Sequence, residues 1–391
     1  MIDIVKERKR NFMSILVKNG QTFCNDFHFH NLDVKTNGKS IEKVAEHIAA
    51  EGENLVIDAE GKYVIPGLID IHSHGCVGHD GCDADLDAYQ EMMHYYASFG
   101  VTSVLATSVT ETEEVLDKAY RAIREYMSQE RDGAYIQGIN MEGPFFSKAK
   151  KGAQAEEKLH LPDVEMFRRL NAASGGNIRQ VCLAPELEGG LDFIRAVKDE
   201  VVVSIAHTTA SYDITMQAIE AGASHVTHLF NAMPPYNHRE PGVIGAVFND
   251  DKITAELISD GFHIHPAVIK ATFQMMANRI CLISDSLAAT GMADGEYSLG
   301  GQAVYVKNGQ CRLKDGTIAG STTPVMECMR RAVSYGVPLE QALRAATFNP
   351  ARAMGLIDRC GTLSAGKSAD IVVLNRDLSI DKVIIKGKIY R

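Results

Sequence analysis

The strongest constraint in this sequence is an alternation. Eight strand-like runs lie at 64–71, 101–108, 135–141, 180–184, 201–206, 225–229, 253–258 and 280–284. Most are separated by segments with helical spacing. Leu86, Tyr89, Met93 and Tyr96 share one helix face, as do Val115, Ala119, Ala122 and Ile123. Eight strands alternating with helices predict an α/β fold, a (β/α)8 barrel of the TIM type. An open doubly wound sheet is the alternative, but it would carry a Gly-rich phosphate turn after its first strand, and that pattern is missing here.

The two ends of the chain differ from the middle. Ile15 to Val17 is apolar, Asn19-Gly20 is a hairpin signal, and residues 27–30 alternate apolar and polar. Asn37-Gly38 and Glu60-Gly61 are further turn signals. At the other end, 369–375 reads as a strand and 383–391 as a hairpin around Gly387. Residues 1–63 and 361–391 are therefore expected to pair into a small β-sandwich domain, leaving 64–360 as the barrel.

Composition narrows the function. A formal charge of -10 disfavours nucleic acid and anionic membranes as partners. An anionic substrate would need local cations. The first ten residues lack the apolar core of a secretory signal, and no run reaches the ~18 apolar residues of a membrane span. The eight cysteines are mostly far apart, which fits reduced thiols and a cytoplasmic location.

Chemistry-bearing residues recur where the predicted strands end. His72 and His74 are two apart on a strand, so both project to one side, as half a metal site requires. Glu142 follows 136–141, His207 follows 201–206, His228 lies near the end of 225–229, and Asp285 follows 280–284. Barrel enzymes carry their catalytic groups at these ends, so the six residues should converge on one mouth. His28 and His30 form a second HxH, read as a solvated strand face because no strand-end ligand follows it. His225 and His228 are three apart, so only one is expected to face the barrel interior, and His228 is nearer the end. His47, His94 and His160 read as surface or packing residues. Cys76, His79 and Cys82 read as loop residues, because no second pair completes a site.

The segments PGLIDIHSHG (66–75), MEGPF (141–145), LAPE (183–186), AHTTA (206–210), THLFNAM (227–233), REPG (239–242), SDGFH (259–263) and SDSLAATG (284–291) occur in that order. With TIAGS (317–321), FNPA (348–351) and GKSADIVVLN (366–375), they resemble the N-acetylglucosamine-6-phosphate deacetylase family of the amidohydrolase superfamily. The resemblance implies a metal-dependent hydrolase of a carbon–nitrogen bond. Glu142, His207 and His228 would hold one divalent ion, zinc or iron. His72 and His74 would complete a second position, so one or two ions are expected. Asp285 would be the general base and then the acid. Ala153, Gln154, Asn231, Ala232, His238, Arg239, Asp260, His263, Ile318, Ala319 and Gly320 would contact a phosphorylated amino sugar. Gln154 stands where some members have a substrate-contacting His. Arg239 would reach across a homodimer interface.

Three alternatives stay open on the sequence: the galactosamine epimer as substrate, a cyclic amide or nucleobase as substrate, and a silent barrel. The last should have lost a ligand or the base, yet all six residues are present.

Overall fold

The apolar run 64–71 is two strands, not one. In the computed structural model, which describes residues 14–51 and 54–391, Tyr63–Pro66 belongs to one sheet and Leu68–Ser73 to another, with Gly67 between them. A Cβ on Gly67 would lie 2.2 Å from Thr102 Oγ1, so only glycine lets the chain pass this close to its neighbour. The reading of the first ten residues falls outside the described part.

Two compact units result. One takes the described residues up to Pro66 together with Thr362–Arg391; the other is Gly67–Gly361. The boundaries expected from the sequence were 63/64 and 360/361.

In the larger unit, eight parallel strands follow in order: β1 (Leu68–Ser73), β2 (Val101–Ser108), β3 (Tyr135–Phe145), β4 (Ile178–Leu183), β5 (Val202–Ile205), β6 (His225–Val226), β7 (Thr254–Ile258) and β8 (Ile280–Ile283). A helix follows each: α1 (Leu86–Ser98), α2 (Glu113–Ser128), α3 (Val164–Ala173), α4 (Gly190–Val197), α5 (Tyr212–Ala221), α6 (Gly242–Asn249), α7 (Pro266–Met276) and α8 (Val325–Ser334). Asp85, Asp163 and Ser211 start α1, α3 and α5 by accepting from backbone N–H groups of the first turn. The seam between β8 and β1 closes at its C-terminal end. There Ser73 bridges Ser286, Asp285 N–H donates to the His72 carbonyl at 2.9 Å, and His74 N–H donates to the Ser286 carbonyl at 2.8 Å. The (β/α)8 expectation holds.

Alternation along β1 sorts its side chains. Ile69 and Ile71 join a cluster with Leu105, Ile258, Cys281 and Ile283. Asp70 and His72 take the other face, and His74 continues it. The barrel interior is polar below the mouth. Gln180, Ser204, Thr227 and Glu256 are all fully buried, where branched aliphatic residues usually fill such a barrel.

The smaller unit holds two sheets. One pairs Ser14–Lys18, Asp33–Asn37, Ser40–Ala45 and Asn54–Asp58; the other pairs Gln21–Phe23, Phe29–Asn31, Tyr63–Pro66, Ile371–Leu374, Ile380–Ile385 and Lys388–Ile389. Ile15, Val17, Val34 and Ile57 of the first share a buried cluster with Val64, Ile371, Val373 and Ile384 of the second. The hairpins at Asn37-Gly38 and around Gly387 are present. Asn19-Gly20 is not a hairpin. It carries the chain from one sheet to the other, with Asn19 at φ 61 and its N–H donating to Asp33 Oδ1.

Two further differences lie in the barrel. The sixth strand is only His225–Val226, because the backbone turns left-handed at His228 (φ 26). A three-stranded antiparallel sheet, Gly295–Leu299, Gln302–Lys307 and Gln310–Arg312, follows β8 where the sequence reading placed nothing.

Candidate active site

Three of the expected residues leave their strands by the same device. His207, His228 and Asp285 have φ of 47, 26 and 49, in the left-handed region that side-chain-bearing residues rarely adopt. Such strain persists only where neighbours hold it, and functional sites are where it collects. Here the restraints are visible. The His207 carbonyl accepts from Ser147 N–H, His228 N–H donates to Glu256 Oε2, and Asp285 is hydrogen-bonded at both its N–H and its carbonyl. Glu186 of the LAPE segment accepts from Thr208 and Thr209 and so ties down the turn after His207.

The turns aim the side chains at one point. His228 Nε2 lies 3.1 Å from Glu142 Oε1 and 3.2 Å from His207 Nε2, and His207 Nε2 lies 3.4 Å from Glu142 Oε1. On the other side, His72 Nε2 and His74 Nε2 are 3.3 Å apart, and His74 Nε2 is 3.3 Å from Glu142 Oε2. Asp285 Oδ1 lies 3.3 Å from His74 Nε2 and 3.5 Å from His72 Nε2.

These separations fit a metal. An ion holding nitrogen and oxygen at about 2.0–2.2 Å in tetrahedral geometry sets neighbouring ligand atoms roughly 3.3–3.6 Å apart. Two ligand triads emerge, His72–His74–Glu142 and Glu142–His207–His228, with Glu142 in both. The electrostatics agree. Burial opposes protonation of His72, but Glu256, Glu142 and Asp285 outweigh it and push its pKa up to about 9; His74 is raised by Asp285 and Glu142 in the same way. Burial alone would raise Glu142 and Asp285, yet the surrounding imidazoles hold both below the usual carboxylate range. Three buried carboxylates, Glu142, Asp285 and Glu256, call for positive charge at this spot, and a divalent ion would supply it.

Imidazole orientation is set from outside the triads. His207 Nδ1 meets the Lys150 carbonyl at 2.8 Å, which makes that nitrogen the donor and leaves Nε2 as the free lone pair. Phe146 stacks on the same ring, with centroids 4.4 Å apart. His72 Nδ1 donates to Glu256 Oε2 at 2.8 Å, with the same result.

Glu256 was not read from the sequence as a site residue. It is fully buried on β7 and accepts at Oε2 from His72 and from His228 N–H, and at Oε1 from Gln180. His225 Nε2 lies 3.3 Å from the same Oε1. Thus His225 and His228 both reach the barrel interior, because the strand stops at Val226; the expectation that only one could do so is corrected. The signal for Glu256 was present as a lone carboxylate inside an apolar strand.

A cavity of about 280 Å³ opens above the triads, at the small end of ligand sites. Its lining includes Ala153, Gln154, Asn231, Ala232, His263, Ile318 and Gly320 along with Asp285 and ligand side chains. Leu299 of the unexpected sheet also lines it. Asp260 stands behind the lining and grips His263 Nδ1 at 2.7 Å, which keeps the imidazole protonated to higher pH against the effect of burial. Ala319 turns into an apolar cluster with Leu287 and Val304. His238 and Arg239 are exposed and outside the lining.

The remaining histidines are elsewhere. His28 and His30 are exposed, with His30 paired to Asp26. His47, His94 and His160 are on the surface, and His79 pairs with Glu91. All eight cysteines are free thiols. Among the described residues, no helix is long and apolar enough to cross a membrane. A larger groove of about 470 Å³ lies beside α7, but its one buried cation, Arg279, is already held by the Val247 and Ile253 carbonyls.

The amidohydrolase family profile matches residues 63–390. The chain belongs to the amidohydrolase family. Among amidohydrolases it is 36% identical over 380 residues to the N-acetylglucosamine-6-phosphate deacetylase of Bacillus subtilis (strain 168), covering 96% of this chain and 93% of that one. It is 34% identical over 352 residues to the N-acetylgalactosamine-6-phosphate deacetylase of Escherichia coli O157:H7, covering 89% and 93%. A mutant N-acetyl-D-glucosamine-6-phosphate deacetylase from Mycobacterium smegmatis, solved in complex with N-acetyl-D-glucosamine-6-phosphate, superposes with a TM-score of 0.89 at 33% identity, covering 97% of this chain and 99% of that one. As an amidohydrolase, the chain is a hydrolase of carbon–nitrogen bonds.

Proposed function

We propose that this amidohydrolase removes the acetyl group from N-acetyl-D-glucosamine 6-phosphate, in amino sugar breakdown. The observation that carries the reading is Glu142 held between two histidine pairs, with Asp285 Oδ1 facing the same point at the floor of a small-ligand cavity. The ligand set suits one or two ions, zinc or iron, since imidazole and carboxylate accept both. A bound ion lowers the pKa of a coordinated water and polarises the amide carbonyl.

The chain's own residues do the rest. Asp285 accepts a proton from the attacking water as the new C–O bond forms. It then delivers that proton to the amide nitrogen as the C–N bond breaks. Acetate and the free amino sugar phosphate leave. Asn231, Ala232, Ile318 and Gly320 line the space for the sugar. His263, kept protonated to higher pH by Asp260, faces the phosphate. Among the described residues the cavity lining contains no Lys or Arg, so a dianionic phosphate finds no guanidinium or ammonium partner there. Arg239 and His238, exposed outside the lining, would supply it from the second subunit of a homodimer. Eight free thiols support a reducing, cytoplasmic setting.

The test is acetate release from N-acetylglucosamine 6-phosphate, N-acetylgalactosamine 6-phosphate and both plain sugars, with metal content measured on the same sample. Release from the glucosamine phosphate is expected to dominate. A preference for the galactosamine epimer would move the substrate. Failure on both phosphates with metal restored would sink the deacetylase reading.

A further inference from the structure

The sequence expectation gave Gln154 a sugar contact. Its hydrogen bonds point elsewhere. Gln154 is buried, Thr110 N–H donates to its Oε1 at 2.7 Å, and its Nε2 donates to Glu142 Oε2 at 2.7 Å. A backbone N–H can only donate, so the amide oxygen must face Thr110 and the NH2 must face Glu142. The amide cannot flip without placing two donors together at one end and two acceptors at the other.

We propose that Gln154 is a positioning residue for the shared metal ligand Glu142. The two oxygens of Glu142 have different neighbours: Oε1 faces His207 and His228, with His72 Nε2 at 3.5 Å, while Oε2 faces His74. A carboxylate turns readily about its terminal bond, which is broad and roughly two-fold. The Gln154 amide breaks that equivalence by fixing one oxygen. The support continues outward. Thr110 approaches so closely because residue 143 is glycine, where a Cβ would lie 2.3 Å from Thr110 Oγ1. The loop carrying Gln154 is held by Gln154 N–H to the Lys151 carbonyl at 3.0 Å and by Gln302 Nε2 to the Ala153 carbonyl at 2.6 Å. Thr110, Gly143, Gln154 and Glu142 thus form one chain of contacts ending on the ligand that both triads share. The sugar then meets a side chain whose amide oxygen is taken by Thr110 and whose nitrogen has already committed one hydrogen to Glu142.

This inference rests on the metal-site reading above, but its test does not need turnover. Zinc affinity of the metal-stripped protein would be measured by competition with a chromophoric chelator, for wild type, Gln154→Met and Gln154→His. Methionine keeps the length and loses both hydrogen bonds. Histidine can accept at Nδ1 and donate at Nε2, the same polarity as the amide. The expected result is a loss of zinc affinity of about 10- to 100-fold in Gln154→Met, the usual effect of removing a ligand's outer partner. Gln154→His should recover most of it. If Gln154→Met fails to fold, Gln154→Ala replaces it, since the space it opens admits a water for Thr110 N–H. Wild-type zinc affinity in the Met or Ala variant, with a raised KM for the sugar phosphate, would overturn the proposal and return Gln154 to substrate binding.

Discussion

At the scale of single residues, the site depends on separating ligands from base. Asp285 Oδ1 lies within 3.5 Å of both His72 and His74, close enough to serve an ion there as well as a water. Asp285→Asn is expected to keep the fold and the ion in the Glu142–His207–His228 triad, while kcat falls by roughly 10²- to 10⁴-fold, the usual worth of a positioned general base. Near wild-type turnover would remove Asp285 from the proton path. Asp285, His207 and His228 could be found in the sequence because they sit at or near the ends of strand-like runs, and those ends meet at one mouth; Glu142 was found the same way, although β3 runs on past it to Phe145. Glu256 could not be found that way. It lies mid-strand, and what makes it important is His72 meeting it from residue 72, across the barrel at 2.8 Å. Gln154 was found, but its hydrogen bonds to Thr110 N–H and Glu142 could not be, since those residues are distant in sequence and only the fold brings them together.

At the scale of elements, periodicity carried most of the information. The faces of α1 and α2 were legible: Tyr89, Met93 and Tyr96 are buried, as are Ala119 and Ile123. Run 64–71 misled because it is apolar throughout, so its pattern gave no hint of a change of sheet at Gly67. The sheet of Gly295–Leu299, Gln302–Lys307 and Gln310–Arg312 had readable turns at Gly300-Gly301 and Asn308-Gly309, but its alternation is weak and one face is solvated. Close packing at Gly67 yields a stability prediction. A new Cβ there would lie 2.8 Å from Thr102 Cβ, which cannot rotate away. Gly67→Ala should destabilise the barrel unit by about 1–3 kcal/mol, read as a lower urea midpoint. Adding Thr102→Ala, which removes the two closer atoms, should recover part of the loss. An unchanged midpoint in the single variant would mean that β1 and β2 can part at no cost.

At the scale of the whole molecule, charge is the organising difficulty. Under the proposed function, a chain of formal charge -10 holds a phosphorylated sugar in a cavity whose lining, among the described residues, has no Lys or Arg. Among the described lining residues outside the ligand triads, His263 is the one imidazole kept protonated to higher pH, and Asp260 neutralises much of its charge. Arg239 belongs to an exposed segment, 235–240, that lies outside the lining of its own cavity. The proposed twofold assembly would resolve this, because symmetry would give each site the other chain's segment. Arg239→Ala should then raise KM for the 6-phosphate about 10- to 100-fold, as expected for a charge-assisted hydrogen bond of about 1.5–3 kcal/mol, and leave the plain N-acetyl sugar unaffected. Mixing subunits decides where Arg239 acts. Arg239→Ala chains retain Asp285, and Asp285→Asn chains retain Arg239, so a hybrid of the two holds one complete site only if Arg239 crosses the interface. Activity at low substrate should therefore return when the two impaired variants are unfolded, mixed and refolded together. If the mixture performs no better than the sum of the separate variants, Arg239 serves its own chain or none, and the cation for the phosphate must be sought elsewhere.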